Sequence, residues 1–275
     1  MISPIIRSML LLVLALQAAP PAAATSDASG DVQVLLVGNS LSYVNNLPAL
    51  FNALAAGQPG QHRYHADLIA APGGTISERW HDGIAAGEIA SGHWQVLVLQ
   101  ERGGMLACLA TPAHRDEPEC AASLGAHRKF ARLAQEHGLR TLVLGTWGPD
   151  SIWRSQLSHG LLQLASGINA EPLDTGPAVR AYARSHPQTA MYSDAVLHPT
   201  LEASLLMAIE LYRKLTGAIP TAKPLEIAVP LVPPRGKVLA DQLFSEQSDL
   251  VGDGAVTHIG SDRLQSLIDA VAADK

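Results

Sequence analysis

Five short apolar runs in this 275-residue chain are each followed by residues of types that take part in catalysis. In chain order these residues are Ser40, the pair Gly73-Gly74, Gln100 with Arg102, Trp147, and Asp194 with His198. A serine hydroxyl becomes a nucleophile when a histidine removes its proton, and backbone N–H groups and amides stabilise the oxyanion that forms. If the fold brings the ends of the five runs together, these residues predict a hydrolytic site.

Each of these residues also has an ordinary structural role open to it. Ser40 could cap a helix, the two glycines could form a turn, and Gln100 could be a hydrogen-bonded polar residue at a strand end. Trp147 could belong to the core, Asp194 to a turn, and His198 to the start of a helix. The residue types alone therefore leave both interpretations open.

The apolar runs have the length and composition of strands. They are Val32–Val37, His65–Ala70, Val96–Gln100, Thr141–Gly145 and Thr189–Tyr192. The first, third and fourth are nearly continuous in Val and Leu, which is typical of strands buried on both faces of a parallel sheet. Ligands bind such a sheet beyond the carboxyl ends of its strands, where the polar residues above would lie.

Segments with helical spacing alternate with these strands. They are Pro48–Ala56, Ala121–His137, Gly160–Gly167, Pro177–Ser185 and Leu201–Leu215. This alternation predicts a three-layer α/β/α sandwich spanning residues 25–217. After Gly217 the chain is rich in proline, and we expect residues 218–275 to pack on the same domain, with helices near Val238–Leu243 and Ser261–Ala273.

Composition excludes several classes of protein. Hydrophobic residues make up 47% of the chain and charged residues 16%, which rules out a disordered chain. The net charge is −6, with 19 Lys and Arg in total, so we expect no nucleic-acid partner. We also expect no metal or other cofactor: His62 and His65 form an H-x-x-H pattern without further ligands, and a flavin or nucleotide site lacks its glycine loop.

The first 24 residues have the pattern of a secretory signal peptide. Arg7 precedes a short apolar run, and small residues follow near residues 22–24. The run is too short to span a bilayer, and no later segment is apolar enough to do so. We therefore expect a secreted or periplasmic protein whose two cysteines, Cys108 and Cys120, pair in an oxidising compartment; two free thiols are the alternative.

Several of these segments resemble those of the SGNH/GDSL hydrolase superfamily, in a bacterial exported branch. They are GNSLSYVNNLP around Ser40, APGGTISERW, VLVLQERGG, VLGTWG and LHPTLEASLLMAIELY around His198. The resemblance covers about residues 32–217 and implies a flavodoxin-like sheet with five parallel strands in the order 2-1-3-4-5. No G-x-S-x-G elbow is present, so the α/β-hydrolase fold is not indicated.

The resemblance also implies roles for particular residues. Ser40 would be the nucleophile and His198 the general base, with Asp194 as the third member of a triad. The Ser40 and Gly74 N–H groups and the Gln100 amide would bind the oxyanion, while Trp147 and Arg102 would line the substrate pocket.

Two positions depart from the superfamily's pattern. An asparagine is usual in the third block, where this chain has Gln100 followed by Glu101, whose charge would repel an oxyanion if it faced the site. An aspartate is usual three residues before the histidine, where this chain has Ala195, and Asp194 lies one residue further away. Asp194 would reach His198 only if the loop bulges; otherwise a Ser–His dyad would remain.

The resemblance implies an exported serine ester hydrolase that acts on acetylated sugars or short acyl esters. An acyltransferase would use the same serine with an alcohol in place of water. A non-catalytic ligand-binding module on this fold is the alternative that the two departures motivate.

Overall fold

A computed structural model of the chain describes residues 30–60, 62–252 and 255–273. The expected signal peptide, residues 1–24, lies outside these residues. Within them, no helix combines the length and the apolar content that crossing a bilayer requires.

Five parallel strands form the central sheet. They are β1 (Val32–Gly38), β2 (Tyr64–Ala70), β3 (Val96–Gln100), β4 (Arg140–Leu144) and β5 (Glu171–Leu173). Their order is β2-β1-β3-β4-β5, and each neighbouring pair is parallel. The expected order 2-1-3-4-5 is confirmed. All five carboxyl ends therefore lie at one edge of the sheet.

The fifth strand is not where the sequence predicted it. The prediction of a strand at Thr189–Tyr192 is wrong, because these residues form a loop in which Tyr192 makes an isolated bridge with Pro199. The true edge strand has only three residues, and the central one is Pro172, which has no N–H to donate. Such a short, proline-containing strand carries almost no periodic signal.

Helices cover both faces of the sheet. They are α1 (Ser40–Tyr43), α2 (Leu47–Ala56), α3 (Ile76–Asp82), α4 (Ile84–Ala90), α5 (Ala107–Ala110), α6 (Pro118–Glu136), α7 (Ser151–Gly167), α8 (Gly176–Ser185), α9 (Leu201–Thr216) and α10 (Ser261–Ala272). The helical segments predicted before Gly217 lie within these elements, except that His137, the last residue of one segment, follows the end of α6. The expected three-layer α/β/α sandwich is confirmed.

The helix predicted near Val238–Leu243 is wrong. In the structure the Gln247 side chain binds the backbone of this segment: its Oε1 accepts from Leu239 N, and its Nε2 donates to the carbonyl oxygens of Leu239 and Gln242. These are backbone groups that a helix would pair internally. A short 3₁₀ turn follows at Phe244–Glu246.

Alternation along the strands divides the core into two layers. In β1, Val34 and Leu36 face a layer that includes α2, α8, α9 and α10, while Leu35 and Val37 face α3, α4 and α6. All four side chains are buried, and full burial of such a residue contributes about 1.5–3 kcal/mol. This two-sided burial explains why β1 is so apolar, and it holds the residues at its end in fixed positions.

Residues after Gly217 pack against the turn that follows β1. The carbonyl oxygen of Val232 accepts from Asn45 N at 2.8 Å, and that of Pro234 accepts from the Tyr43 hydroxyl at 2.9 Å. Further along, β6 (Leu225–Ile227) pairs antiparallel with β7 (Thr257–Ile259). We call residues 230–234 the C-terminal strap.

The expected disulfide between Cys108 and Cys120 is confirmed. It joins the short helix α5 to the first turn of α6. It therefore restrains the long connection between β3 and α6, which begins with residues at the carboxyl edge of the sheet.

Candidate active site

The turn after β1 places Ser40 at the first position of α1. Asn39 caps this helix, because its Oδ1 accepts from Leu41 N at 3.1 Å, so the capping role once open to Ser40 belongs to its neighbour. Ser40 is nearly buried, and neither its hydroxyl nor its N–H group forms a hydrogen bond with another described residue. Both groups are therefore free to act on a ligand.

Gln100 holds this turn in place and does not face a ligand site. Its Oε1 accepts from Asn39 N at 3.2 Å and from Ser42 Oγ at 2.9 Å, while its Nε2 donates to the Glu101 carbonyl oxygen. A glycine at position 38 is required here, since a Cβ would lie only 2.8 Å from Gln100 Oε1. The oxygen and the nitrogen of the Gln100 amide are therefore both engaged within the protein, whereas an oxyanion donor needs a free N–H group.

Asp194 reaches His198 despite the extra residue between them. Its Oδ2 lies 2.6 Å from His198 Nδ1, and its Oδ1 accepts from the N–H groups of His198 and Val196, each at 3.1 Å. Leu197 takes up the additional residue by adopting a left-handed conformation with φ of 65°. A non-glycine residue in this region costs roughly 1–3 kcal/mol, which the surrounding hydrogen bonds offset.

The carboxylate of Asp194 fixes the state of the His198 ring. The hydrogen bond from His198 is the main cause that lowers the pKa of Asp194 below its ordinary value, so the carboxylate is ionised at neutral pH. An ionised carboxylate accepts a proton-bearing Nδ1, which leaves the lone pair of the neutral ring on Nε2. His198 Nε2 has no hydrogen-bond partner among the described residues.

Ser40 and His198 line one cavity of about 660 Å³ at the carboxyl edge of the sheet. Arg102 and Trp147 line it too, together with Tyr43, Gly73, Gly103, Gly104, Trp153 and Pro234. The structure thus brings four of the predicted site residues to one cavity, with Asp194 behind the histidine. Ser40 Oγ and His198 Nε2 are not hydrogen-bonded in this state, as is common before substrate binds.

Gly74 is adjacent to the cavity but its N–H group is occupied. It donates to the Ala71 carbonyl oxygen at 3.1 Å, and the Gly74 carbonyl oxygen accepts from Asn39 Nδ2 at 2.9 Å. Gly73, with φ of 64°, lines the cavity instead. The oxyanion role expected of Gly74 would require this turn hydrogen bond to break.

Three cavity residues, Ser40, Gly73 and Gly103, have N–H groups that form no hydrogen bond with any other described residue. They come from the loops after β1, β2 and β3, respectively. These are the loops in which the sequence analysis expected the oxyanion donors.

Glu101 is turned away from the cavity into the protein. Its carboxylate accepts from Arg102 N at 2.7 Å, from Ile76 N at 3.3 Å and from Ser123 Oγ at 2.5 Å. His127 Nδ1 is 3.9 Å away, and both side chains are fully buried. Glu101 therefore connects the loops after β2 and β3 and brings no negative charge to the cavity.

Trp147 is both a core residue and a wall of the cavity. It is 5% exposed, its ring stacks on Tyr192, and its Nε1 donates to the Leu197 carbonyl oxygen at 2.7 Å. It therefore supports the loop that carries Asp194 and His198. Arg102, by contrast, is partly exposed and pairs with Glu119 at 3.2 Å.

Trp153 is a cavity residue that the sequence analysis missed. It lies in the first turn of α7 and is 41% exposed. A Cβ at position 148 would lie 2.5 Å from Trp153 Cβ, so the glycine there is what allows this close contact. The feature of the sequence that could have indicated this contact is Gly148, which directly follows Trp147.

Among the residues that the structure describes, no group of three or more His, Cys, Asp or Glu side chains is arranged to hold a metal ion.

Comparison with known proteins gives matches among solved structures alone. No protein-family model matches the chain, and no curated protein matches it. An acetyl-xylooligosaccharide esterase, Axe2 from Geobacillus stearothermophilus, is 12% identical with a TM-score of 0.50, covering 69% of this chain and 96% of that one. The esterase EstA from Pseudoalteromonas sp. is 14% identical with a TM-score of 0.48, covering 67% of this chain and 97% of that one. The likeness to Axe2 shows that the chain has the fold of the SGNH hydrolases, which ester hydrolases use.

Proposed function

We propose that this chain, on its SGNH hydrolase fold, is a serine ester hydrolase in which Ser40 is the nucleophile. The observation that carries the proposal is the placement of Ser40 and an Asp194-bound His198 on the same cavity. In a serine hydrolase a base must take the hydroxyl proton, and a carboxylate must hold the base in the correct tautomer. The non-catalytic alternative was motivated by the position of Asp194, one residue further from His198 than is usual. The contact between Asp194 and His198 removes that reason.

The reaction follows from the protonation states. His198 Nε2 takes the proton of Ser40 Oγ as that oxygen bonds to the carbonyl carbon of the ester. The tetrahedral intermediate then collapses, and the C–O bond to the alcohol breaks as His198 returns the proton to the departing oxygen. Water, deprotonated in turn by Nε2, attacks the acyl-serine and releases the acid, which restores the Ser40 hydroxyl.

We assign the oxyanion position to the N–H groups of Ser40, Gly73 and Gly103. All three belong to cavity residues and have no other partner among the described residues. The removal of one such donor from an oxyanion site typically costs about 2.7–4 kcal/mol of transition-state stabilisation. Three backbone donors remove the need for the side-chain amide that the sequence analysis assigned to Gln100.

The cavity favours small or medium-sized esters. Its volume of about 660 Å³ lies within the range of small-molecule sites, and aromatic walls from Trp147, Trp153 and Tyr43 suit an acyl chain or the face of a sugar ring. We propose acetylated sugars or short acyl esters as the substrate class. The protein would act outside the cytoplasm, in agreement with the leader-like pattern of residues 1–24 and the disulfide.

The test is hydrolysis of 4-nitrophenyl acetate by the wild-type protein, by Ser40→Ala and by a control, Ser151→Ala. Ser151 is an exposed serine at the start of α7 and does not line the cavity. We expect Ser40→Ala to lower kcat by roughly 10⁶, as loss of a serine nucleophile does elsewhere, and the control to keep full activity.

A fluorophosphonate probe gives a second readout, because it forms a stable bond only with an activated serine. We expect mass spectrometry to place the label on Ser40 in the wild type and to find none in Ser40→Ala. Hydrolysis that survives in Ser40→Ala, or a label on another serine, would overturn the proposal.

A further inference from the structure

A second cavity of about 450 Å³ lies beside the first, with Trp147 in the wall of both. It lies between α7 and α8, next to the carboxyl end of β4. The proposed reaction uses none of the residues that line it apart from Trp147. Its lining is more polar than that of the first cavity, whose walls are largely aromatic.

Two arginines face this second cavity without a partner. Arg154 lies on α7 and Arg180 on α8, and both are half-buried. Among the described residues neither guanidinium lies within 4.0 Å of a carboxylate, and neither makes a hydrogen bond. Burial raises the pKa of Tyr192, and the positive charges of both arginines oppose that rise. Both guanidinium groups are therefore close enough to Tyr192 to affect the same hydroxyl.

A buried hydroxyl points to the same ligand chemistry. Thr146 is 7% exposed and lines the cavity, and its Oγ1 has no hydrogen-bond partner among the described residues. Buried polar groups are almost always paired, and this unpaired hydroxyl differs from the others in lying at the wall of a cavity, where a ligand can pair with it. A hydroxyl and two guanidinium groups together present only donors to an anion.

One negative group, Asp174, also lines the cavity and must be counted. Each of its oxygens accepts one hydrogen bond, one from the Ser158 hydroxyl at 2.8 Å and the other from Gly176 N at 3.0 Å. The charges of the two arginines and Asp174 sum to one positive charge. This positive charge favours an anion in the cavity.

We propose that this cavity binds a small oxyanion group: a phosphate, a sulfate or a carboxylate. Arg154 and Arg180 would grip it from opposite helices, since guanidinium groups bind such anions through paired N–H donors. The Thr146 hydroxyl would donate a further hydrogen bond from the buried side. We call this cavity the anion subsite.

Trp147 connects the anion subsite to the reaction. Its ring separates the two cavities, and its Nε1 binds the carbonyl oxygen of Leu197, the residue before His198. The charged part of an acidic ester, such as an acetylated uronic acid or a sugar phosphate ester, can therefore lie in the anion subsite while its acyl group lies at Ser40. This part of the inference rests on the proposed esterase function; the binding of an anion does not.

The direct test is calorimetric titration with sodium phosphate at constant ionic strength. The variants are Arg154→Gln with Arg180→Gln, Thr146→Val, and Arg184→Gln as a matched control. Arg184 lies on α8 one turn beyond Arg180, is exposed, and does not line the anion subsite. We expect the double variant to weaken binding at least tenfold, Thr146→Val to weaken it severalfold, and the control to leave it unchanged.

Thermal unfolding of each variant without phosphate is the control for structure. We expect the melting temperatures of the variants to match that of the wild type, so that a loss of binding is not a loss of structure. Absence of saturable phosphate binding in the wild type, or equal binding by the double variant and the control, would overturn the proposal.

Kinetics identify the source of the anion. The activity of the double variant is compared with that of the wild type on acetyl esters of a neutral sugar and of a uronic acid. A tenfold loss of kcat/KM on the uronic ester alone assigns the subsite to the substrate. Equal kcat/KM of the two proteins on both esters, with phosphate binding lost in the variant, assigns it to a free anion. Hydrolysis that survives in Ser40→Ala, while the wild type binds phosphate, overturns the esterase proposal alone. Hydrolysis that is lost in Ser40→Ala, while the wild type shows no saturable phosphate binding, overturns the anion subsite alone.

Discussion

Two carboxylate–histidine pairs lie near the carboxyl edge of the sheet, and they differ in almost every physical respect. Asp194 and His198 are 2.6 Å apart, partly exposed, and directly hydrogen-bonded. Glu101 and His127 are 3.9 Å apart, fully buried, and bridged through Ser123. The first pair leaves a ring nitrogen facing a cavity, while the second is enclosed by protein on all sides.

The environment, and not the residue types, separates the two roles. Burial lowers the pKa of His127 in spite of the nearby charge of Glu101, so this ring stays neutral and reaches no ligand. The Glu101 carboxylate accepts from the backbone N–H groups of Arg102, in the loop after β3, and of Ile76, the first residue of α3. We infer that one pair transfers protons and the other holds the loops in position.

The largest effect that tests this comparison is on the exposed pair. We expect Asp194→Asn to lower kcat by about 10⁴ with little change in KM or thermal stability, because the amide favours the wrong tautomer of His198. Steady-state kinetics on 4-nitrophenyl acetate measure this, with Asp262→Asn, an exposed residue of α10, as the control. An unchanged kcat would remove Asp194 from the proposed triad.

The next effect concerns the buried pair. In Glu101→Gln an amide NH₂ group replaces one carboxylate oxygen. It then faces an N–H or O–H donor from which that oxygen accepted, so at least one buried hydrogen bond is lost. We expect the free energy of unfolding to fall by about 1–3 kcal/mol, with kcat reduced less than tenfold. Urea unfolding and kinetics on the same preparation measure both, and a kcat loss as large as that of Asp194→Asn would show that Glu101 takes part in the chemistry.

The smallest effect is a pH dependence of stability. Since the pKa of His127 is lower in the folded state than the ordinary 6.5, the unfolded chain binds more protons as the pH falls below 6.5. The contribution of His127 to the free energy of unfolding is therefore fully present above pH 6.5. Below pH 6.5 it decreases by at most about 1.4 kcal/mol per pH unit.

We expect His127→Phe to show a shallower loss of unfolding free energy than the wild type between pH 6.5 and pH 5, with kcat unchanged at neutral pH. Urea titrations at several pH values measure this slope. Parallel curves for the two proteins would mean that His127 has the same proton affinity in both states.

The fold was predictable where burial is two-sided and the elements are long. The runs of Val and Leu in β1, β3 and β4 carry their own signal, because short, nearly continuous apolar runs are typical of strands covered on both faces. β5 escaped prediction because Glu171-Pro172-Leu173 is too short for periodicity. The prediction for residues 238–243 was wrong because the side chain that binds their backbone belongs to Gln247, which lies beyond this segment in the sequence.

The candidate site was predictable in its loops but not in its individual donors. Ser40 and His198 line one cavity, although the strand predicted directly before His198 is a loop. Whether Asp194 reaches His198 depended on a single φ angle at Leu197, and whether Gly73 or Gly74 faces the cavity depended on one turn hydrogen bond. Such choices are made by local geometry over two or three residues, which composition and spacing do not record.

The C-terminal strap has a consequence for how the molecule matures. Its carbonyl oxygens tie down Asn45 and Tyr43, which belong to the turn that carries Ser40, and Pro234 lines the cavity. Almost two hundred residues separate Tyr43 from Pro234 along the chain. The wall of the cavity is therefore complete only after the ribosome has passed codon 234, long after the five strands of the sheet have been synthesised.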